Sequence, residues 1–132
     1  MKVTVNTALN RVFTPEWNGN KDLSVADQVT VSYKAPTIAM KERLFERKFD
    51  FTKAPNGDGM EAGMSVIVDR KKVINELTTA INGLSAEVDG KDIKISTTAQ
   101  LFEAGVEFDG LAEELYTFYN NLINQKGVDE KN

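Results

Sequence analysis

The chain has 132 residues, with 16 basic and 20 acidic side chains, a formal charge of −4, and neither histidine nor cysteine. That length suffices for one domain with one core, without disulfides or metal. The two zeros exclude a Ser-His-Asp triad, a Cys-His nucleophile, a thiolate zinc site, a haem histidine ligand and any disulfide framework built from this chain alone.

Val3 and Val5 alternate with Lys2, Thr4 and Asn6, a period-two pattern that predicts a first strand. The N-terminus has no long apolar segment after Lys2, so no signal peptide is expected. Asn18-Gly19 closes the next stretch in turn chemistry. Gln28 to Lys34 is the cleanest strand, with Val29, Val31 and Tyr33 on one side and Thr30, Ser32 and Lys34 on the other. Pro36 stops it, and Thr37 caps a predicted helix running to about Lys48. Ile38, Phe45 and Phe49 form one seam of that helix, and Met40 and Leu44 form a second. Two seams can meet two neighbours, in the chain's own core or on another chain.

Residues 53–64, rich in glycine with one proline, read as a mobile connection. Val66-Ile67-Val68 suggests a short strand, and Asp69 caps a predicted helix through about Asn82, ending at Gly83. Val73, Ile74, Leu77, Ala80 and Ile81 fall within an arc of about 120° on that helix. Leu84 to Ile95 reads as a hairpin with a two-residue Asp89-Gly90 loop of type I′. Its register pairs Val88 with Lys91, Ala86 with Ile93 and Leu84 with Ile95. Thr97-x-x-Gln100 forms a capping box for a short helix through Phe102, closed by Gly105.

The last helix runs from about Leu111 to Asn124. Leu111, Leu115, Phe118 and Leu122 centre its apolar face; Ala112, Tyr116, Tyr119 and Ile123 flank it on one side. The polar segment from Gln125 is expected to fray. The expected architecture is a single α+β domain over residues 1–132, with short N-terminal strands, a late β-hairpin and three main amphipathic helices.

Charge is uneven. Residues 1–33 are neutral, residues 34–72 carry nine basic and six acidic groups, and residues 73–132 carry four basic and eleven acidic groups. Lys41, Arg43, Arg47 and Lys48 are interleaved with Glu42 and Glu46, which suits a solvated face and not a phosphate-binding patch, so no nucleic-acid partner is expected. Arg70-Lys71-Lys72 opens a predicted helix against its macrodipole. The longest apolar runs are far short of the roughly 20 residues of a membrane span, so no membrane partner is expected.

Nothing local proposes catalysis. Glu113 and Glu114 are adjacent on a helix and point about 100° apart, so they do not converge. Asp50, Asp58 and Glu61 form a looser acidic group. Gly57-x-Gly59-x-x-Ala62 echoes a dinucleotide fingerprint without the apolar strand and helix start that fingerprint needs. Asn56-Gly57-Asp58-Gly59 is too short for a calcium-binding loop. The expectation is a protein with no catalytic residue, no cofactor and no metal.

Three stretches taken together carry a resemblance. They are Phe13 to Leu23; the strand Gln28 to Tyr33 leading into Ala35 to Arg43; and the late order of helix, Leu84, Asp89-Gly90-Lys91, Leu101-Phe102-Glu103 and a final amphipathic helix. Over most of the chain this resembles the small tail assembly chaperones of long-tailed (siphovirus-type) bacteriophages. The resemblance implies a non-catalytic protein that binds the long, helical, hydrophobic tape measure protein. It keeps that protein soluble in the host cytoplasm while the tail tube polymerises around it, and is absent from the finished virion. It further implies a longer form made by translational frameshifting, for which the segment from Gln125 is the candidate junction. A homo-oligomer is expected. The competing classes are a structural virion protein, such as a head–tail connector or tail-tube component, and a host regulatory adaptor.

A chaperone needs exposed apolar surface bounded by charge. The candidate partner-binding residues are Met40 and Leu44 on one helix, and Tyr116, Tyr119 and Ile123 on the last. Methionine adapts to varied partners and tyrosine gives a large contact area at low entropy cost.

Overall fold

A computed structural model describes residues 1–5, 11–53 and 60–124, with segments 45–53 and 60–68 described by their backbone. In chain order the elements are β1 (Arg11–Phe13), β2 (Thr30–Tyr33), α1 (Ile38–Leu44), β3 (Phe45–Lys53), β4 (Met60–Val68), α2 (Arg70–Leu77), β5 (Thr78–Asn82), β6 (Leu84–Val88), β7 (Lys91–Ile95), α3 (Thr98–Glu103) and α4 (Asp109–Ile123). Turns of 3-10 helix occupy Trp17–Asp22, Val25–Asp27 and Val106–Phe108. The expected α+β class is the observed one. Among the described residues the strands pair antiparallel in three separate sheets, β1-β2-β5, β3-β4 and β6-β7. The N-terminal strands and the late hairpin therefore do not share a sheet.

By its contacts the chain divides into two compact units, where one domain is expected: Met1–Pro36 with Arg70–Asn132, and Thr37–Asp69. In the first, β2 is the central strand. Val31 registers opposite Phe13 on β1 and Ile81 on β5. The core contains Val31, Ile81, Val73, Ile74 and Leu77 together with Leu111, Leu115 and Tyr119 of α4, all essentially inaccessible. Each large apolar side chain so covered stabilises the fold by roughly 1.5–3 kcal/mol. Phe118 stacks on Phe13 with centroids 4.0 Å apart and meets Tyr33 edge-on at 5.3 Å, tying the sheet to α4.

Four expected elements differ. Val3 and Val5 lie in no strand; they are 78% and 69% exposed, and the first strand is Arg11–Phe13. Alternation defines two faces, but a strand also needs a neighbour to accept its backbone hydrogen bonds. The predicted helix from Thr37 starts as expected, with the Met40 amide donating to the Thr37 hydroxyl at 3.1 Å, but ends at Leu44. Phe45, Phe49 and Phe51 then occupy alternate positions of a nine-residue strand, in register with Val68, Met64 and Ala62. The expected connection over residues 53–64 is accordingly narrower, since Lys53 and Met60–Met64 belong to paired strands; residues 54–59 lie outside the described residues.

The predicted helix through Asn82 ends at Leu77. Thr78-Thr79 favours strand, and Ile81 is buried as a residue of β5. The Lys34 amide donates to the Leu77 carbonyl at 3.0 Å, so sheet bonding begins where the helix stops. The late hairpin has the expected register throughout, from Leu84 opposite Ile95 to Val88 opposite Lys91. Its loop has positive φ at both Asp89 (52°) and Gly90 (80°), as a type I′ turn requires. The Thr97–Gln100 capping box is present in both directions.

Candidate functional site

The Trp17–Asp22 turn is held at three places. The amides of Glu16 and Trp17 both donate to the Glu114 carboxylate of α4, at 2.7 and 2.9 Å. Asn18 (φ 56°) and Gly19 (φ 73°) take left-handed conformations, which this residue pair adopts at low cost. Asn20 is the one buried polar side chain among the described residues. Its Nδ2 donates to the carbonyls of Pro15 (2.8 Å) and Val29 (2.9 Å), and its Oδ1 accepts from the Val29 amide at 2.7 Å. These contacts fix Trp17, whose indole lies 5.6 Å from the Phe108 ring between centroids. A Cβ at Gly110 would come within 3.1 Å of that indole, so a side chain there would press the ring by a few tenths of an ångström.

Facing this turn is the β6-β7 hairpin. Leu84 and Ile95 at its base are buried, whereas Val88 and Ile93 near the loop are each 47% exposed. Gly83 (φ 78°) joins β5 to β6 without a spacer, and a Cβ there would sit 2.7 Å from the Gln28 carbonyl oxygen. Between the turn, the hairpin and the Ala104–Phe108 segment runs an open groove of about 890 Å³. Trp17, Leu23, Leu84, Val88 and Phe108 give it apolar surface. Its charged lining residues are Glu87, Asp89 and Glu107, with no lysine or arginine among the lining residues.

None of the expected partner-binding residues is among those lining the groove. Leu44 is buried and Met40 half-buried on α1 in the Thr37–Asp69 unit; Tyr116, half-buried, lies on α4 in the other. Leu44, Tyr119 and Ile123 are all buried, which corrects their reading as exposed partner-binding surface. The buried stripe of α4 is Leu111, Ala112, Leu115, Tyr119 and Ile123. It is turned by roughly 60° from the expected centre, taking 100° per residue. Phe118 remains half-buried against Phe13, and the flank has become the core.

The Tyr119 hydroxyl shares a 2.8 Å hydrogen bond with Thr78, and burial pushes its pKa up to about 12. The unfolded tyrosine ionises near pH 10, so between these values the unfolded chain releases a proton that the folded chain retains, and stability falls as pH rises. Tyr119→Phe should remove roughly 2 kcal/mol of stability loss between pH 9 and 12, while costing about 1 kcal/mol at neutral pH through the lost hydrogen bond. Urea unfolding of both proteins across that range checks it; parallel pH profiles would refute the assignment.

Glu113 and Glu114 serve different elements. Glu113 and Asp109 receive Arg70 at 3.2 and 2.8 Å, and Glu114 holds the Glu16–Trp17 backbone. The basic cluster that opens α2 is thus partly matched by the acidic first turns of α4, and Lys71 lies 5.7 Å over the Phe102 ring. Among the described residues no group of three carboxylates is placed to hold a metal ion, and no helix is long and apolar enough to cross a membrane. The look-alike motifs from Asn56 to Gly59 and the segment from Gln125 lie outside the described residues, as does Asp58. Compared with protein-family models, curated proteins and solved structures, the chain matches none.

Sequence reading missed the groove because its walls come from four separate stretches. One local signal was available: Trp17, the chain's one tryptophan, sits beside an Asn-Gly turn, where a large ring has little local core to enter.

Proposed function

We propose that the chain is a non-catalytic tail assembly chaperone that binds the tape measure protein during phage tail morphogenesis. The observation that carries this reading is the open groove. The Phe13 to Leu23 stretch, part of the resemblance, supplies one wall, and the surface joins aromatic and aliphatic side chains to carboxylates. An apolar surface edged with like charge binds a chain segment while resisting self-precipitation.

In this reading the complex forms in the host cytoplasm, the chaperone acts as a homo-oligomer, and no nucleic acid, membrane or cofactor takes part. Tyr116, half-buried on α4, is a further candidate contact, and Met40, half-buried in the Thr37–Asp69 unit, is a separate one. Co-expression with the tape measure protein and pull-down should recover a complex, and purified tails should lack the chain. Stoichiometric chain in mature tails would make it a structural virion component and overturn the chaperone reading. Light scattering over a concentration series should show association, and a strict monomer at high concentration would remove the oligomer from the proposal.

A further inference from the structure

The groove is lined by seven consecutive residues, Gly83 to Asp89. Successive side chains of a strand point to opposite faces, so a cavity lying over one face touches alternate residues. A cavity touching all of them runs along the strand's edge. The hairpin register fixes what that edge offers. In a two-residue hairpin the residues flanking the loop exchange both backbone hydrogen bonds, and bonded pairs then alternate with non-bonded ones. Val88–Lys91, Ala86–Ile93 and Leu84–Ile95 are therefore the bonded pairs. Ser85 and Glu87 turn their amides and carbonyls outward, and both residues are exposed. Among the described residues β6 has β7 as its one strand neighbour.

We infer that the groove binds an extended, lysine- or arginine-bearing polypeptide segment by adding it as a third strand to the outer edge of β6. The inference rests on the groove's being a polypeptide-binding site. Strand addition uses the outward backbone groups for affinity and alternate side chains for specificity. The apolar positions of the added strand meet Trp17, Leu23 and Phe108; its basic positions meet Glu87, Asp89 and Glu107. Charge also decides against a second copy of this chain. Pairing β6 with its counterpart brings two sets of these carboxylates together with no cation in the lining. A two-stranded hairpin is marginal by itself, so a third strand also stabilises its exposed tip.

The test uses the full chain and a capped eight-residue peptide alternating valine and lysine. Trp17, the one tryptophan, reports occupancy of the groove by fluorescence. The expected result is saturable binding, with amide exchange at Ser85 and Glu87 slowed at least about ten-fold. Methylating alternate peptide nitrogens should weaken binding about ten-fold, the effect of losing one or two hydrogen bonds. The valine–glutamate counterpart should not bind. Glu87→Lys, at an exposed site and checked for folding by circular dichroism, should weaken the lysine peptide and admit the glutamate one.

If Trp17 responds while the Ser85 and Glu87 amides exchange at the free rate, strand addition is wrong and a binding groove survives. If these amides become protected by raising protein concentration alone, the occupant is a second copy and the inference is overturned. If no peptide moves Trp17 fluorescence, the inference fails, and capture of the tape measure protein on co-expression separately decides the proposed function.

Discussion

Asn20→Ala should lower the free energy of unfolding by about 3–5 kcal/mol, the largest expected effect of any polar substitution among the described residues. The reason is the number of groups it orphans. Asn20 satisfies the Pro15 carbonyl and both backbone groups of Val29 and is itself only 3% exposed. Each buried polar group left without a partner costs about 1–3 kcal/mol. Asn20→Asp is the sharper test. It keeps the acceptor for the Val29 amide, loses both donors and buries a charge, so it should do no better than alanine. Urea denaturation followed by circular dichroism measures both, and a change under about 1 kcal/mol for alanine would show that the network contributes little. The same substitution should loosen Trp17, so groove occupancy should fall even at temperatures where the variant remains folded.

Leu77→Ala should cost about 2–5 kcal/mol, the range for removing a fully buried leucine and leaving a cavity. Leu77 is inaccessible and stands at the last position of α2, next to the first residue of β5. Its side chain belongs to the core shared by sheet and helices, and its carbonyl accepts from Lys34. Truncation removes packing where two elements join, so the cavity has little freedom to collapse. Val25→Ala, at a position 85% exposed, is the control and should stay within about 0.5 kcal/mol. A thermal melt of Leu77→Ala indistinguishable from the parent would place Leu77 outside the core.

Readable features were those decided within a few residues. The Asp89-Gly90 loop selects its turn type, that turn sets the register, and the register places Leu84 opposite Ile95. The Thr97–Gln100 box is likewise complete within four residues. Errors arose where one pattern serves two structures. Phe45 and Phe49 are four apart, which satisfies both a helical seam and the alternation of a strand; pairing with β4, distant in sequence, accompanies the second. Ala80 and Ile81 fit the arc of α2 and equally a strand beside β2.

On α4 the apolar arc was visible but its orientation was not. Phe118 and Tyr119 meet Phe13, Tyr33 and Thr78 only once sheet and helix come together, and those partners choose which part of a broad arc is covered. The candidate site was less legible than the fold for the same reason. Its aromatic, its carboxylates and its strand edge become neighbours through contacts such as Glu114 with Trp17, which local periodicity does not encode.

That carboxylate clasp has a consequence for when the groove exists. Glu114 closes on residues 97 and 98 positions earlier in the chain. A nascent chain still lacking α4 has already synthesised Trp17, Asn20 and the entire hairpin, yet has nothing to grip the Glu16–Trp17 amides or to seat the indole against Gly110. The groove therefore takes its arrangement only once α4 has been made and has closed on the Glu16–Trp17 amides; a chain lacking α4 presents the parts without their arrangement.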